Sequence, residues 1–297
     1  MRAEAAGMSD VGLQREHNED SFAVVPQHEL FIVADGMGGH RAGDVASRIA
    51  SESITDFFRR TASDDVTWPF HFDSELSDDE NRLMTAIRLA NRQIYEHSVS
   101  SRDLRGMGTT VVGALFNSER STMYVGHVGD SRAYRVRAGE ITQLTRDHSL
   151  LNDYLLAMPD MPDDQKSELP KNVITRALGM QDSVEVDLIS DESQLDDLYI
   201  LCSDGLSGMV SDEDICQAVV ENPRPDLACR RLVKMANENG GEDNVTAVVI
   251  RIVDETHRAR LAFAATQEMH SIPPTERASS DAPPAHGDTS SRNGDED

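Results

Sequence analysis

Three times in this chain an apolar, β-rich run ends at an aspartate beside a glycine. Leu30-Phe31-Ile32-Val33-Ala34 leads into Asp35-Gly36-Met37-Gly38-Gly39-His40, Val125-Gly126-His127-Val128 into Gly129-Asp130, and Tyr199-Ile200-Leu201-Cys202 into Ser203-Asp204-Gly205. A fourth acidic stretch, Gly240-Gly241-Glu242-Asp243-Asn244, directly precedes the apolar run from Val245 to Val253. One such corner is an ordinary turn. Four of them, spread over the chain, point to carboxylates gathered at one edge of a sheet assembly. Glycine lets the backbone approach a ligand closely, and carboxylate and carbonyl oxygens are what a hard cation such as Mg²⁺ or Mn²⁺ takes.

The remaining pattern frames these corners. Met8 to Leu13 and Ser21 to Val25 read as short strands around the polar loop Gln14-Arg15-Glu16-His17-Asn18-Glu19-Asp20. Apolar residues at helical spacing predict helices over Arg41 to Arg60 and Asp79 to Ser100. Between them, Thr61 to Ser77 reads as a surface insertion around the single tryptophan, Trp68. From Thr109 to Leu144 short β-rich runs alternate with turn signals, an antiparallel meander. Ser149 to Ala157 is helical, within a longer irregular segment that reads as a lid. Strands return at Val184 to Ile189 and Leu198 to Cys202. Helices follow at Ser211 to Glu221, with Ser211 as N-cap, and Pro225 to Asn239, and the strand Asn244 to Val253 closes the pattern. The expectation is one α+β layered domain over residues 8–253. Residues 254–297, rich in Pro, Ser, Asp and Gly towards the end, read as an acidic disordered tail.

Charge narrows the function. Asp and Glu total 53 against 28 Lys and Arg, a formal charge of -25. That balance argues against a nucleic-acid surface and against anionic membranes. No run of apolar residues is long enough for a membrane span, and the N-terminus has no signal-peptide core. The three cysteines, Cys202, Cys216 and Cys229, have no metal-type spacing and read as buried free thiols in a reducing cytoplasm. A monomer is expected.

Chemistry follows from the carboxylates. Asp35, Asp204 and Asp243 packed together repel one another unless a cation neutralises them. Two divalent ions make a water nucleophilic near neutral pH and clamp a phosphoryl group. Arg15 offers paired donors to phosphate oxygens, and His40 is placed to protonate a leaving alkoxide. There is no nucleophile elbow, zinc helix, P-loop or Cys-x₅-Arg signature to support a rival chemistry.

Taken in order, the motifs resemble the metal-dependent Ser/Thr protein phosphatases of type 2C in their bacterial form. They are Gly12-Leu13-Gln14-Arg15 with Asn18-Glu19-Asp20, Val33 to His40 with Gly43, Gly108-Thr109-Thr110, and Val128-Gly129-Asp130-Ser131-Arg132. Thr145-Arg146-Asp147-His148-Ser149, Ile174 to Gly179, Ser203-Asp204-Gly205 and Asp243-Asn244 complete the set. The resemblance implies a four-layer α-β-β-α sandwich, two central antiparallel sheets flanked by helices, with a dinuclear Mg²⁺ or Mn²⁺ centre at one end. It implies Asp35 as bridging ligand, Gly36 through its carbonyl, and Asp204 and Asp243 on one metal. Glu19 and Asp20 would hold metal-bound waters, Asp130 with Asp204 a weaker third ion, and Arg15 the phosphate. The implied activity is hydrolysis of phosphoserine and phosphothreonine in proteins by a metal-bound water, opposing a bacterial Ser/Thr kinase. Met37 stands where eukaryotic members carry histidine, so either His40 or a metal-bound water serves as the acid. Two other readings of the same residues are a regulatory phosphoprotein-binding module and a hydrolase of small phosphate metabolites.

Overall fold

Strand alternation builds the molecule in layers. In the computed structural model, which describes residues 1–38, 42–62, 72–159, 161–162, 165, 169–170 and 173–254, the last strand is β11 (Val245–Val253). Val245, Ala247 and Val249 join one apolar cluster, and Val248, Ile250 and Ile252 join another. Strand β3 (Leu30–Met37) divides the same way: Phe31 and Val33 face the second of those clusters, whereas Leu30, Ile32 and Ala34 face a third. Period-two alternation therefore gives both strands two buried faces. The cluster they share is the seam between two sheets.

The first sheet runs in the order β1 (Arg2–Asp10), β11, β10 (Leu198–Cys202), β7 (Arg132–Arg137), β8 (Glu140–Gln143). The second runs β2 (Asp20–Val25), β3, β5 (Val111–Asn117), β6 (Thr122–Val128), β9 (Asp187–Glu192), with β4 (Gly108–Thr109) paired to the end of β3. Every pairing within them is antiparallel. Helices α1 (Ala42–Arg60) and α2 (Asp78–Ser100) cover the second sheet, their apolar faces (Ala46, Ala50, Ile54, Phe58; Leu83, Ile87, Ala90, Ile94) closing its outer cluster. Each of the larger side chains there contributes about 1.5–3 kcal/mol by leaving water. A short α3 (Leu150–Ala157) and α4 (Asp204–Ser207) precede α5 (Asp212–Glu221) and α6 (Pro225–Glu238), which cover the first sheet. The result is the expected α-β-β-α sandwich.

Ser211 caps α5 as the sequence predicts, its hydroxyl accepting from the Asp214 N–H. A full capping box, Ser77 with Glu80, also starts α2. Two boundaries differ from expectation. The first strand begins at Arg2 rather than Met8, because Arg2 to Asp10 pairs along the whole length of β11. Arg2-Ala3-Glu4-Ala5-Ala6-Gly7 has no β-branched residue, so tertiary pairing overrides weak local preference. Strand β9 lies at Asp187–Glu192, later than Val184 to Ile189, in register with β6. All three cysteines are buried and free. One compact unit spans Met1–Glu255. The predicted tail beyond Asp254, His40, and Trp68 with most of its insertion lie outside the described residues. Among the described residues no helix is long and apolar enough to cross a membrane.

Candidate metal centre

Both sheets send carboxylates to the same end. In the second sheet Asp20 opens β2 directly opposite Asp35 of β3, and Asp130 lies just beyond the end of β6. In the first sheet Asp204 follows β10 at the start of α4, and Asp243 precedes β11. Asp35 and Asp204 are within hydrogen-bond reach of one another. The structure thus brings Glu19, Asp20, Asp35, Asp130, Asp204 and Asp243 into one group, with Arg15 beside it.

Glycines make the approach feasible. A Cβ on Gly36 would stand 2.2 Å from the Gly43 carbonyl oxygen and 2.5 Å from that of Glu19. The Gly36 N–H donates to the same Glu19 carbonyl at 3.1 Å. Thr110 fixes Asp35 from the other side: its N–H and the Thr109 hydroxyl donate to the Asp35 carbonyl at 2.8 and 2.7 Å. Asn244 joins the two layers. Its side chain accepts from the Glu19 N–H at 2.8 Å and donates to the carbonyls of Val11 and His17, each at 2.9 Å. Asp20 accepts from the hydroxyls of Ser203 (2.8 Å) and Thr246 (2.6 Å), again across the sheets.

The electrostatics of the group call for positive charge. Burial, then the charges of Asp20, Asp204 and Asp130, push the Asp35 carboxyl well up. Burial and Asp243 raise Asp204. Asp20 is pushed up to about 7 by burial against its two hydroxyl donors, and Asp130 to about 7 by burial and then Asp204. Burial also raises Glu19, although Arg15 and the Gly43 N–H oppose it. Moreover, Glu19 Oε1, Asp20 Oδ1 and Asp130 Oδ1 are buried with no hydrogen-bond partner. Buried, unpartnered anionic oxygens are costly. An all-oxygen set of this kind fits Mg²⁺ or Mn²⁺.

Arg15 is not free. Its guanidinium donates to Asp243 Oδ2 at 2.6 Å and to the Glu242 carbonyl at 3.4 Å. It shares with Asp130, Asp204 and Asp243 the wall of an open cavity of about 490 Å³, which Arg132, Asp147 and the start of α3 also line. A second group, His127, His148 and Asp187, offers ligand atoms within 4.8 Å of one another. Its cation is already present, since Arg176 donates to Asp187 at 2.5 Å.

Sequence reasoning singled out the carboxylates but not their supports. The hydroxyls of Ser203 and Thr246 carry no separate signal in the sequence, because their target, Asp20, is remote from both. Asn244 was visible as part of Asp243-Asn244, yet its role as a tie between layers appears only in three dimensions.

The raised carboxyls predict a proton–metal competition. An unfolded aspartate titrates near ~3.9, whereas Asp20 and Asp130 keep their protons to about 7. Between those values the folded state binds more protons, so stability falls as pH rises. The thermal midpoint in EDTA should therefore carry a downward component from pH 5 to pH 7. The midpoint gain from saturating Mn²⁺ should be larger at pH 7 than at pH 5. Scanning calorimetry at both pH values checks this, and equal gains would mean that the carboxylates are already ionised.

Known proteins agree with this architecture. The family model described as Protein phosphatase 2C matches residues 13–249. The serine/threonine phosphatase stp of Listeria monocytogenes is 36% identical over 250 residues, covering 82% of this chain and 93% of its own. The crystal structure of the Mycobacterium tuberculosis serine/threonine phosphatase PstP/Ppp superposes with a TM-score of 0.73 at 36% identity, covering 86% of this chain and all of that one. The catalytic domain of PstP in complex with two manganese ions superposes with a TM-score of 0.71, again at 36% identity, over 85% of this chain and 99% of that one. With the match running from the Arg15 loop to the last strand, this chain belongs to the protein phosphatase 2C family of serine/threonine phosphatases.

Proposed function

We propose that the carboxylate group is the catalytic centre of this phosphatase and that it works on phosphoserine and phosphothreonine in proteins. The observation that carries the assignment is the set of buried, unpartnered oxygens on Glu19, Asp20 and Asp130, in a cluster where burial also raises the carboxyls of Asp35 and Asp204. Asp35, the Gly36 carbonyl, Asp204 and Asp243 would hold two Mn²⁺ or Mg²⁺ ions, Asp130 with Asp204 a weaker third, and Glu19 and Asp20 their waters. Bound there, the ions supply Lewis-acid chemistry, neutralising phosphoryl oxygens and making a water nucleophilic near neutral pH.

The chain's own residues do the rest. Arg15, at the cavity wall, binds two phosphoryl oxygens and sets the phosphorus in line with the attacking water. A new P–O bond forms to that water as it gives up a proton to solvent, the bond to the Ser or Thr oxygen breaks, and the leaving oxygen takes a proton from His40 or from solvent. Ser203 and Thr246 hold Asp20 in place, and Asn244 holds the Glu19 backbone. A cytoplasmic monomer that reverses the action of a Ser/Thr kinase is the setting that best suits an acidic chain with three buried free thiols.

Hydrolysis of a phosphothreonine peptide should occur with Mn²⁺ or Mg²⁺ and stop in EDTA, and should exceed hydrolysis of free sugar phosphates. Phosphate release measured under the three conditions is the test. Activity undiminished by EDTA would remove the metal assignment, and a preference for sugar phosphates would remove the protein substrate.

A further inference from the structure

The turn that carries Asp130 is gripped from two sides. On one side stands Thr110: its hydroxyl shares a 2.6 Å hydrogen bond with Ser131 Oγ, and a Cβ on Gly129 would lie 2.5 Å from Thr110 Cβ. On the other stands His148, in the segment that leads into α3. The His148 N–H donates to the Gly129 carbonyl at 2.9 Å, and His148 Nδ1 accepts from the Gly129 N–H at 3.0 Å. One residue therefore holds both peptide groups of Gly129, whose φ of +110° suits glycine and little else. Asp130 comes next in the chain. Its Oδ1 is buried without a partner, so its aim is set by the backbone that precedes it.

The bond at Nδ1 also fixes the imidazole tautomer. A backbone N–H always donates, so Nδ1 keeps its lone pair and the neutral ring carries its proton on Nε2. That proton faces Asp187 Oδ2 at 3.3 Å; Arg176 Nη1, a donor only, stands 3.2 Å from the same Nε2 and directs its hydrogen to Asp187 at 2.5 Å. The ring of His127 stacks on His148 with centroids 4.6 Å apart and planes 17° from parallel. His127 Nε2 bonds the Arg146 carbonyl at 2.9 Å. Burial, then His127, hold the His148 pKa down, in keeping with a neutral ring. With its proton on Nε2 and a guanidinium beside it, His148 is not a metal ligand. It is a bracket.

We propose that His148 is a positioning residue for the phosphatase reaction: by clamping Gly129 it aims the Asp130 carboxylate into the metal centre and ties that aim to the segment leading into α3. The proposal rests on the reading of Asp130 as a ligand of the weaker metal.

Two substitutions separate the two faces of the ring. Asn places its amide oxygen near the position of Nδ1 and keeps an acceptor for the Gly129 N–H. Gln reaches towards Asp187 with an amide N–H and has only a carbon at the δ position where Nδ1 stood. In the full chain, Mn²⁺ binding by titration calorimetry and the Mn²⁺ dependence of kcat should be compared for His148→Asn, His148→Gln, Asp130→Asn and the Gln/Asn double variant. His148→Gln should weaken the weaker Mn²⁺ binding event by ~10–100-fold, the range for groups that support a metal ligand. His148→Asn should stay within about threefold of the parent. The double variant should bind no worse than Asp130→Asn alone, since both changes remove one interaction.

Equal losses in the two His148 variants, or Mn²⁺ binding by His148→Gln that matches the parent, would overturn the proposal. A folded His148→Asn protein that binds Mn²⁺ as poorly as Asp130→Asn would do so even if the Gln variant failed to fold. If Asp130→Asn itself leaves Mn²⁺ binding unchanged, the reading of Asp130 falls and the proposal with it. A change in Asp130→Asn alone refutes only the role of His148.

Discussion

Asp204→Asn should lower kcat on a phosphothreonine peptide by well over 100-fold and at the same time raise the thermal midpoint of the protein in EDTA. Loss of a group that merely orients a ligand typically costs ~10–100-fold, and Asp204 would itself be a ligand. The stability gain has a separate cause. Without metal, the Asp204 carboxyl is raised by burial and by Asp243, and it lies against the Asp35 carboxyl, which is raised well up in its turn. An amide of nearly the same shape removes that repulsion. Activity and apo-state stability should therefore move in opposite directions, as expected where a site is built from mutually destabilising groups. The Mn²⁺-induced rise in midpoint should shrink in the same variant. An Asp204→Asn enzyme with full activity would sink the assignment of the centre.

Gly36→Ala should cost about 3 kcal/mol of stability, the upper end of the ~1–3 kcal/mol usual for overpacking, and remove most of the activity. Its Cβ would meet the carbonyl oxygens of Gly43 and Glu19 at 2.2 and 2.5 Å. Both are backbone atoms, so no flexible side chain is available to yield. Relief requires β3, the Glu19 segment or the first turn of α1 to move, and Asp35 and Glu19 move with them. Gly139→Ala is the matched control, because φ there is +82° and no atom lies within 4 Å of the new Cβ. Its cost is left-handed backbone strain alone, roughly 1 kcal/mol, with activity kept. Urea denaturation and initial rates for the pair provide the comparison. Equal losses would mean that the close approach at Gly36 is not what sets the geometry.

The corners that most constrain the chain were readable in the sequence because they are local. An apolar run, an aspartate and a glycine at Leu30 to Gly36 state the strand, the carboxylate and the close approach together. The alternation within β11 likewise gives two buried faces without reference to any other segment. What local pattern cannot give is pairing across the molecule. Arg2 to Gly7 forms strand only because β11 lies beside it. The register that sets Asp20 opposite Asp35 depends on tertiary packing, and so do the hydroxyls of Ser203 and Thr246 on Asp20. Arg15 stands out in the sequence as a candidate phosphate-binding residue from the company it keeps, but its ion pair with Asp243 joins residues from opposite ends of the domain.

The carboxylate group belongs to neither sheet. Asp20, Asp35 and Asp130 come with one layer, Asp204 and Asp243 with the other, and the cross-layer bonds of Asn244 and Asp20 close only when the layers dock. A nascent chain that has built either half alone carries an incomplete set of oxygens, with no cleft for a phosphoryl group. If this group is the catalytic centre, competence for hydrolysis arises with the docking of the two layers and not with either layer alone.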